Sequence, residues 1–245
     1  ELVDGLDGLA DSVIQNYAAC NRLLDPTTTP NPLANIRCPG GTDAGNQCLS
    51  DEQMETVNSV HAPINYGYAL ANGETDWPGE PTGGEGPQGW LLSQTQPTAT
   101  SVPGFNAFFR GGLRMKEFNA INFDLATHRE QVLTSSKLMD NRIDWSKFLA
   151  KGGKLIYYTG GSDYLISARA QYRVYELAVK KSGQALVDRH VRYYVGPGLG
   201  HGGNGNDAKG QPLPQFADLL TPLQNWVENG VTPPEPLVQT RMEPN

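Results

Sequence analysis

Two residues in this 245-residue sequence stand where side chains can do acid–base chemistry: Asp163 and His201. The run Lys154 to Thr159 is short, apolar and rich in aromatic and branched residues, so it reads as a buried strand. It breaks at Gly160-Gly161 and leaves one acid, Asp163, just past its end. Residues 166–181 carry apolar side chains at helical spacing, and Gly183 closes that helix. Val191 to Val195 reads as a second strand, after which His201 stands in a glycine cluster. An acid and then a histidine, each after a strand, is the order of the last two members of a nucleophile–acid–base triad. Taken singly, Asp163 also reads as a turn- or helix-capping acid and His201 as a loop histidine.

The elements around them carry a more specific pattern. The stretches G-G-K-L-I-Y-Y-T-G-G-S-D-Y-L-I-S and V-G-P-G-L-G-H-G-G resemble the C-terminal signatures of the tannase/feruloyl esterase family. The resemblance implies an α/β fold: the C-terminal portion of an α/β-hydrolase, meaning the last strands and helices of a mostly parallel sheet. With it comes a large, loop-rich, calcium-binding lid domain. Residues 1–148 would be the lid and 149–245 the catalytic part. In such proteins the acid matching Asp163 orients the histidine matching His201, and that histidine activates a serine against the carbonyl of an aromatic ester.

The N-terminal stretch E-L-V-D-G-L-D-G-L-A-D-S-V-I-Q alternates carboxylates with glycines. Calcium takes six to eight oxygens, which carboxylates and carbonyls of a curled loop can supply. The spacing is not that of an EF-hand, and a solvated acidic turn is the alternative. The same stretch resembles the opening of the family's lid, which implies a structural calcium held by Asp4, Asp7 and Asp11 with the carbonyls of Leu9 and Val13. The resemblance also implies a Cys38–Cys48 disulfide. Cys20 is left outside it, because its usual family partner position is Val3 here. Ser50 with Gln53 three residues on forms a capping-box signature for a helix.

Phe105, Phe108 and Phe109 beside Arg110 and Arg114 form an aromatic-basic cluster. Such a composition can cradle an aromatic acid through ring stacking and a guanidinium–carboxylate contact, with Phe105, Phe109 and Arg110 as the candidate residues. A helix packing on its neighbour explains it equally. Residues 62–103 read as long loops, 118–144 as helices returning to the core, and 216–229 as a final helix ending at Gly230.

No G-x-S-x-G nucleophile elbow occurs in the sequence. The expectation is therefore that an N-terminal fragment or chain of the same enzyme carries the serine, with Glu1 read as a processed start. A sheet reduced to two strands would leave an edge exposed, which supports that expectation. Gly202 follows His201 where many family members have a cysteine, so the disulfide that staples serine to histidine is absent.

Composition limits the alternatives. A net charge of −7 leaves no electrostatic footprint for nucleic acid, and no run approaches the ~20 apolar residues of a membrane helix. Three cysteines in a glycine- and proline-rich segment suit an oxidising compartment, secreted or periplasmic. Four histidines, none in H-x-x-x-H spacing, argue against a metal hydrolase. The remaining rival is a calcium-stabilised binding or regulatory fragment with no activity of its own.

Overall fold

The structure is a computed structural model and describes residues 4–10, 13–82, 109–119, 122–207 and 209–241. Contacts divide the chain into two compact units. The first comprises Glu1–Ala62, Pro78–Glu85 and Asp144–Asn245, and the second Pro63–Trp77 and Gly86–Ile143.

The elements in chain order are α1 (Tyr17–Leu24), α2 (Asp51–His61), β1 (Ile64–Asn65), β2 (Asp76–Trp77), α3 (Arg129–Met139), α4 (Ser146–Ala150), β3 (Leu155–Gly160), α5 (Ala168–Ser182), α6 (Gln184–His190), β4 (Val191–Gly196), β5 (Phe216–Ala217), α7 (Leu220–Asn229) and β6 (Gln239–Thr240). In the first unit β3 and β4 pair in parallel, from Leu155↔Val191 to Gly160↔Gly196. Parallel strands need a crossover, and α5–α6 supply it. On one face Val191 packs with Leu149 and Val187, all at most 2% exposed, with Trp145, Leu155, Tyr175 and Val179 around them. Tyr193 extends this face, its ring centroid 4.9 Å from that of Tyr157 and 5.2 Å from that of Tyr175.

Alternation along the strands turns the next residues to the opposite face. There Lys154 Nζ and Arg192 Cζ lie 4.9 and 5.1 Å from the Trp226 ring centroid of α7. The C-terminal segment covers the rest: Tyr194 donates to the Pro234 carbonyl at 2.6 Å, and Gln239 Nε2 donates to the Tyr158 hydroxyl at 2.9 Å. A parallel pair with helices on both faces is an α/β arrangement.

Ahead of this layer, Cys38 and Cys48 are disulfide-bonded. The bridge leads into the α2 capping box, in which Ser50 N donates to Gln53 Oε1 and Gln53 N to Ser50 Oγ. Cys20 is a thiol, 2% exposed. The final helix differs from the sequence expectation. Asp218 Oδ1 accepts from the amides of Leu220 and Thr221 and so starts α7 there, while Phe216–Ala217 pairs with Gln239–Thr240 instead of extending the helix.

In the second unit β1 and β2 form a short antiparallel pair. The Ser136 hydroxyl of α3 accepts from Ala71 N at 2.7 Å, and Tyr68 donates to the Leu125 carbonyl at 3.0 Å. Phe109, Phe118, Phe123 and His128 form a row of rings with centroids 4.8 to 5.5 Å apart, the first and last pairs stacked and the middle pair tilted.

Candidate active site

β3 and β4 end at paired glycines, Gly160 and Gly196, and the two loops that follow stay in register with each other. Gly161 N donates to the Gly196 carbonyl at 2.8 Å and Ser162 N to the Leu199 carbonyl at 3.0 Å. Gly160 lies so close to the second loop that a Cβ there would sit 2.2 Å from the Leu199 carbonyl oxygen. Leu199 is fully buried and anchors that loop. Two glycines with positive φ, Gly202 (86°) and Gly203 (78°), then turn the chain directly after His201.

This geometry brings Asp163 and His201 together. His201 Nδ1 lies 3.2 Å from Asp163 Oδ2. Asp163 is 6% exposed, whereas the His201 side chain is about half exposed. The other carboxylate oxygen, Oδ1, accepts from the amides of Leu165 and Ile166 at 2.9 and 3.0 Å. One oxygen therefore caps the turn leading into α5 and the other faces the imidazole, so the capping and histidine-facing readings of Asp163 both hold. A carboxylate only accepts, so a hydrogen bond here places the ring proton on Nδ1 and the lone pair on Nε2.

Behind the acid loop lies a set of polar residues that the sequence did not announce. The segment Pro78 to Thr82 runs between the C-terminal end of α2 and the start of α5. Ser167, fully buried, donates its hydroxyl to the Gly79 carbonyl at 2.7 Å. Arg169 reaches the His61 carbonyl at 3.1 Å, and Asn21 and Asp25 at 3.4 Å each. His61 Nδ1 donates to the Glu80 carbonyl at 2.8 Å, and Thr82 N donates to Asn21 Oδ1 at 2.7 Å. The Glu80 acid is pushed up to about 7, first by burial and then by the charge of Asp163, with His61 and Arg169 opposing. These partners lie 19 to 148 positions apart in sequence, and no local pattern could have paired them.

The other sequence candidates fall elsewhere. Asp7 organises a curl, its two oxygens accepting from Leu9 N and Gln15 N at 2.9 Å each. Those amides, Gln15 first, hold its carboxyl below the ordinary carboxylate range. Leu9 and Val13 lie on the same curl, whereas Asp11 and the side chain of Asp4 lie outside the described residues. Among the described residues no three acidic, histidine or cysteine side chains cluster as a metal site would require. Phe109 and Arg110 belong to the second unit, where Phe109 stacks on Phe118; Phe105 and Phe108 lie outside the described residues.

Comparison with known proteins identifies the family. Residues 2–245 match the family described as tannase and feruloyl esterase. An uncharacterized esterase of Agrobacterium fabrum is 30% identical over 96% of this chain and 43% of its own length. A mono(2-hydroxyethyl) terephthalate hydrolase of Piscinibacter sakaiensis is 31% identical over 94% of this chain and 42% of its own length. The chain thus spans less than half the length of these curated relatives. The crystal structure of feruloyl esterase B from Aspergillus oryzae superposes with a TM-score of 0.63 at 24% identity, covering 95% of this chain and 45% of that one, and so shares its fold. The chain belongs to the tannase and feruloyl esterase family.

Proposed function

We propose that this chain is the acid–histidine part of a carboxylic ester hydrolase that works by a Ser–Asp–His mechanism. The observation that carries the proposal is the buried Asp163 carboxylate 3.2 Å from Nδ1 of a half-exposed His201. His201 Nε2 takes the proton of a serine hydroxyl as the oxygen attacks the ester carbonyl. It then returns that proton to the departing alcohol. Asp163 keeps the imidazole in the Nδ1–H form and stabilises its charged state. The serine comes from an N-terminal portion of the enzyme outside these residues, since no nucleophile elbow is found within them.

The substrate is an ester of an aromatic acid of the gallate or hydroxycinnamate type. Two relatives support that class by name, a terephthalate ester hydrolase and a probable feruloyl esterase of Aspergillus terreus. Phe105, Phe109 and Arg110 are the proposed contacts for the acid moiety. Residues 1–148 act as the lid; this is a division by role, since residues 1–62 pack in the same compact unit as 144–245. Asp4, Asp7 and Asp11, with the carbonyls of Leu9 and Val13, hold a structural calcium. The curl around an ionised Asp7 fits a hard, oxygen-seeking cation. Bound there, the ion would fix the entry into α1. The disulfide supports an oxidising compartment, secreted or periplasmic. Among the described residues no helix is long and apolar enough to cross a membrane.

The test is hydrolysis of methyl gallate and methyl ferulate by this chain joined to its serine-bearing portion. His201→Ala should abolish turnover with little change in substrate affinity, and Asp163→Asn should cost somewhat less because an imidazole remains. Full activity in His201→Ala would overturn the proposal. Absence of activity from the assembled wild type would favour a calcium-stabilised binding fragment.

A further inference from the structure

A cavity of about 650 Å³, within the range of small-molecule sites, opens in the first unit, and the described residues that line it include neither Asp163 nor His201. Its floor is the sheet face that carries Tyr158 and Tyr194, which stand side by side as register partners on β3 and β4. Both rings are held in place. The Tyr194 hydroxyl donates to the Pro234 carbonyl, and the Tyr158 hydroxyl accepts from Gln239 Nε2. Leu213, 5% exposed, forms a wall, seated so close to Gly198 that a Cβ there would approach Leu213 Cδ1 to 2.6 Å. Val238 belongs to the lining and is 71% exposed, so the cavity reaches solvent there. Two charged side chains share the lining, Asp207 and Arg241. They are not ion-paired with each other, and Arg241 forms no salt bridge among the described residues. Asp207 Oδ1 accepts from the amides of Lys209 and Gln211 at 2.8 Å each, which fixes the carboxylate on its loop. Arg241 directly follows β6, whose pairing with β5 holds the tail.

We propose that this cavity is a binding site for a free hydroxylated aromatic acid, with its ring against the two tyrosines, its carboxylate on Arg241 and its phenol on Asp207. Each part of that ligand answers a feature of the lining. A flat ring gains from a floor of aromatic side chains through offset and edge contacts. A guanidinium presents a fork of N–H donors that matches a carboxylate. A carboxylate only accepts, so Asp207 suits a group that donates, as a phenol hydroxyl does. An aliphatic acid would leave the tyrosine floor without a ring to pack on it. A neutral phenol would leave Arg241 unanswered, and a cation would meet Arg241 as a like charge. The site goes beyond the ester-cleaving reading and does not depend on it. An aromatic acid is also what that reaction would release, so the enzyme would hold its product at a place distinct from the one that forms it.

The experiment is calorimetric titration of this chain, joined to its serine-bearing portion, with 4-hydroxycinnamate, and in parallel with cinnamate and 4-hydroxycinnamamide. The wild type should bind 4-hydroxycinnamate saturably. The amide, which lacks the charge, should bind about tenfold more weakly or worse, as expected for loss of a charge-assisted hydrogen bond. Cinnamate, which lacks the phenol, should bind several-fold more weakly. Arg241→Ala should lose the preference for acid over amide, and Val238→Trp, which fills the cavity from an exposed position, should abolish this binding event. Both positions are exposed, and either variant decides the question if the other does not fold. Turnover of methyl ferulate should be unchanged in both, and any binding at the catalytic centre persists in both, so the two sites are told apart. No binding by the assembled wild type, as when the serine-bearing portion fills the cavity, would overturn the proposal. So would equal affinity for the acid and either analogue, or binding unchanged in both variants. The titration needs no turnover, so failure of this site is distinguishable from failure of the esterase reading.

Discussion

Substituting Gly160 by alanine tests whether the contact between the two loops builds the site. The new Cβ would lie 2.2 Å from the Leu199 carbonyl oxygen, 2.9 Å from its carbon and 3.0 Å from the Gly200 oxygen. All three are backbone atoms anchored by the buried Leu199, so no side chain can swing aside. To reach an ordinary contact the His201 loop must retreat by about 1 Å. Overpacking of this kind costs ~1–3 kcal/mol. The retreat also strains the Ser162 N to Leu199 O bond, worth ~0.5–1.5 kcal/mol. A loss of roughly 2–4 kcal/mol is therefore expected, read as a lower urea midpoint with an unchanged slope. Because the strain falls between the loops, the Asp163–His201 distance should also lengthen. Gly111 is the control: a Cβ there meets nothing within 4 Å, and alanine suits its helical setting, so Gly111→Ala should be neutral or stabilise by up to ~1 kcal/mol. Gly160→Ala within about 0.5 kcal/mol of wild type, with His201 still on Asp163, would refute the reasoning.

Three further outcomes are expected. The Glu80 acid is raised from 4.5 to about 7 on folding, so its contribution to stability is complete below pH 4.5 and lost as pH rises through 7. Melting should therefore weaken from pH 5 to 8 by on the order of 1–2 kcal/mol after solvent screening of this half-buried group, and Glu80→Gln should flatten that slope. Under denaturing but non-reducing conditions an alkylating reagent should label Cys20 alone, and replacing Cys38 and Cys48 by serine should cost roughly 2–3 kcal/mol for so short a loop. Chelation of calcium should lower the melting temperature of wild type but not of Asp7→Ala; a metal-free protein with unchanged melting would remove calcium from the account.

What was legible in the sequence was what local chemistry dictates. The β3 and β4 runs announce themselves through aromatic and branched residues, and Gly183 with its φ of 87° closes α5 as its position suggested. Ser50 and Gln53 form the capping box read from their spacing. The start of α5 lies two residues later than the apolar period implied, because Asp163 caps a separate turn first. Periodicity extended α7 back to Phe216; it cannot register that Phe216 has a partner at Thr240. The support behind Asp163 was out of reach for the same reason. Nothing near Ser167 or Arg169 in sequence points to Gly79 or Asn21.

That support also fixes an order of events during synthesis. Arg169 bonds groups 108 and 148 positions upstream, and Ser167 a carbonyl 88 positions upstream. Closing such long loops is entropically unfavourable until many contacts form together. As the chain leaves the ribosome, α1, α2 and the Gly79–Thr82 segment emerge long before the residues that lock them. The His61 and Gly79 carbonyls must stay hydrated until α5 arrives. Asp163 and His201 thus acquire their mutual geometry among the last steps of folding, and a chain stalled before α5 would hold the disulfide loop and α2 with no Asp163–His201 pair to support.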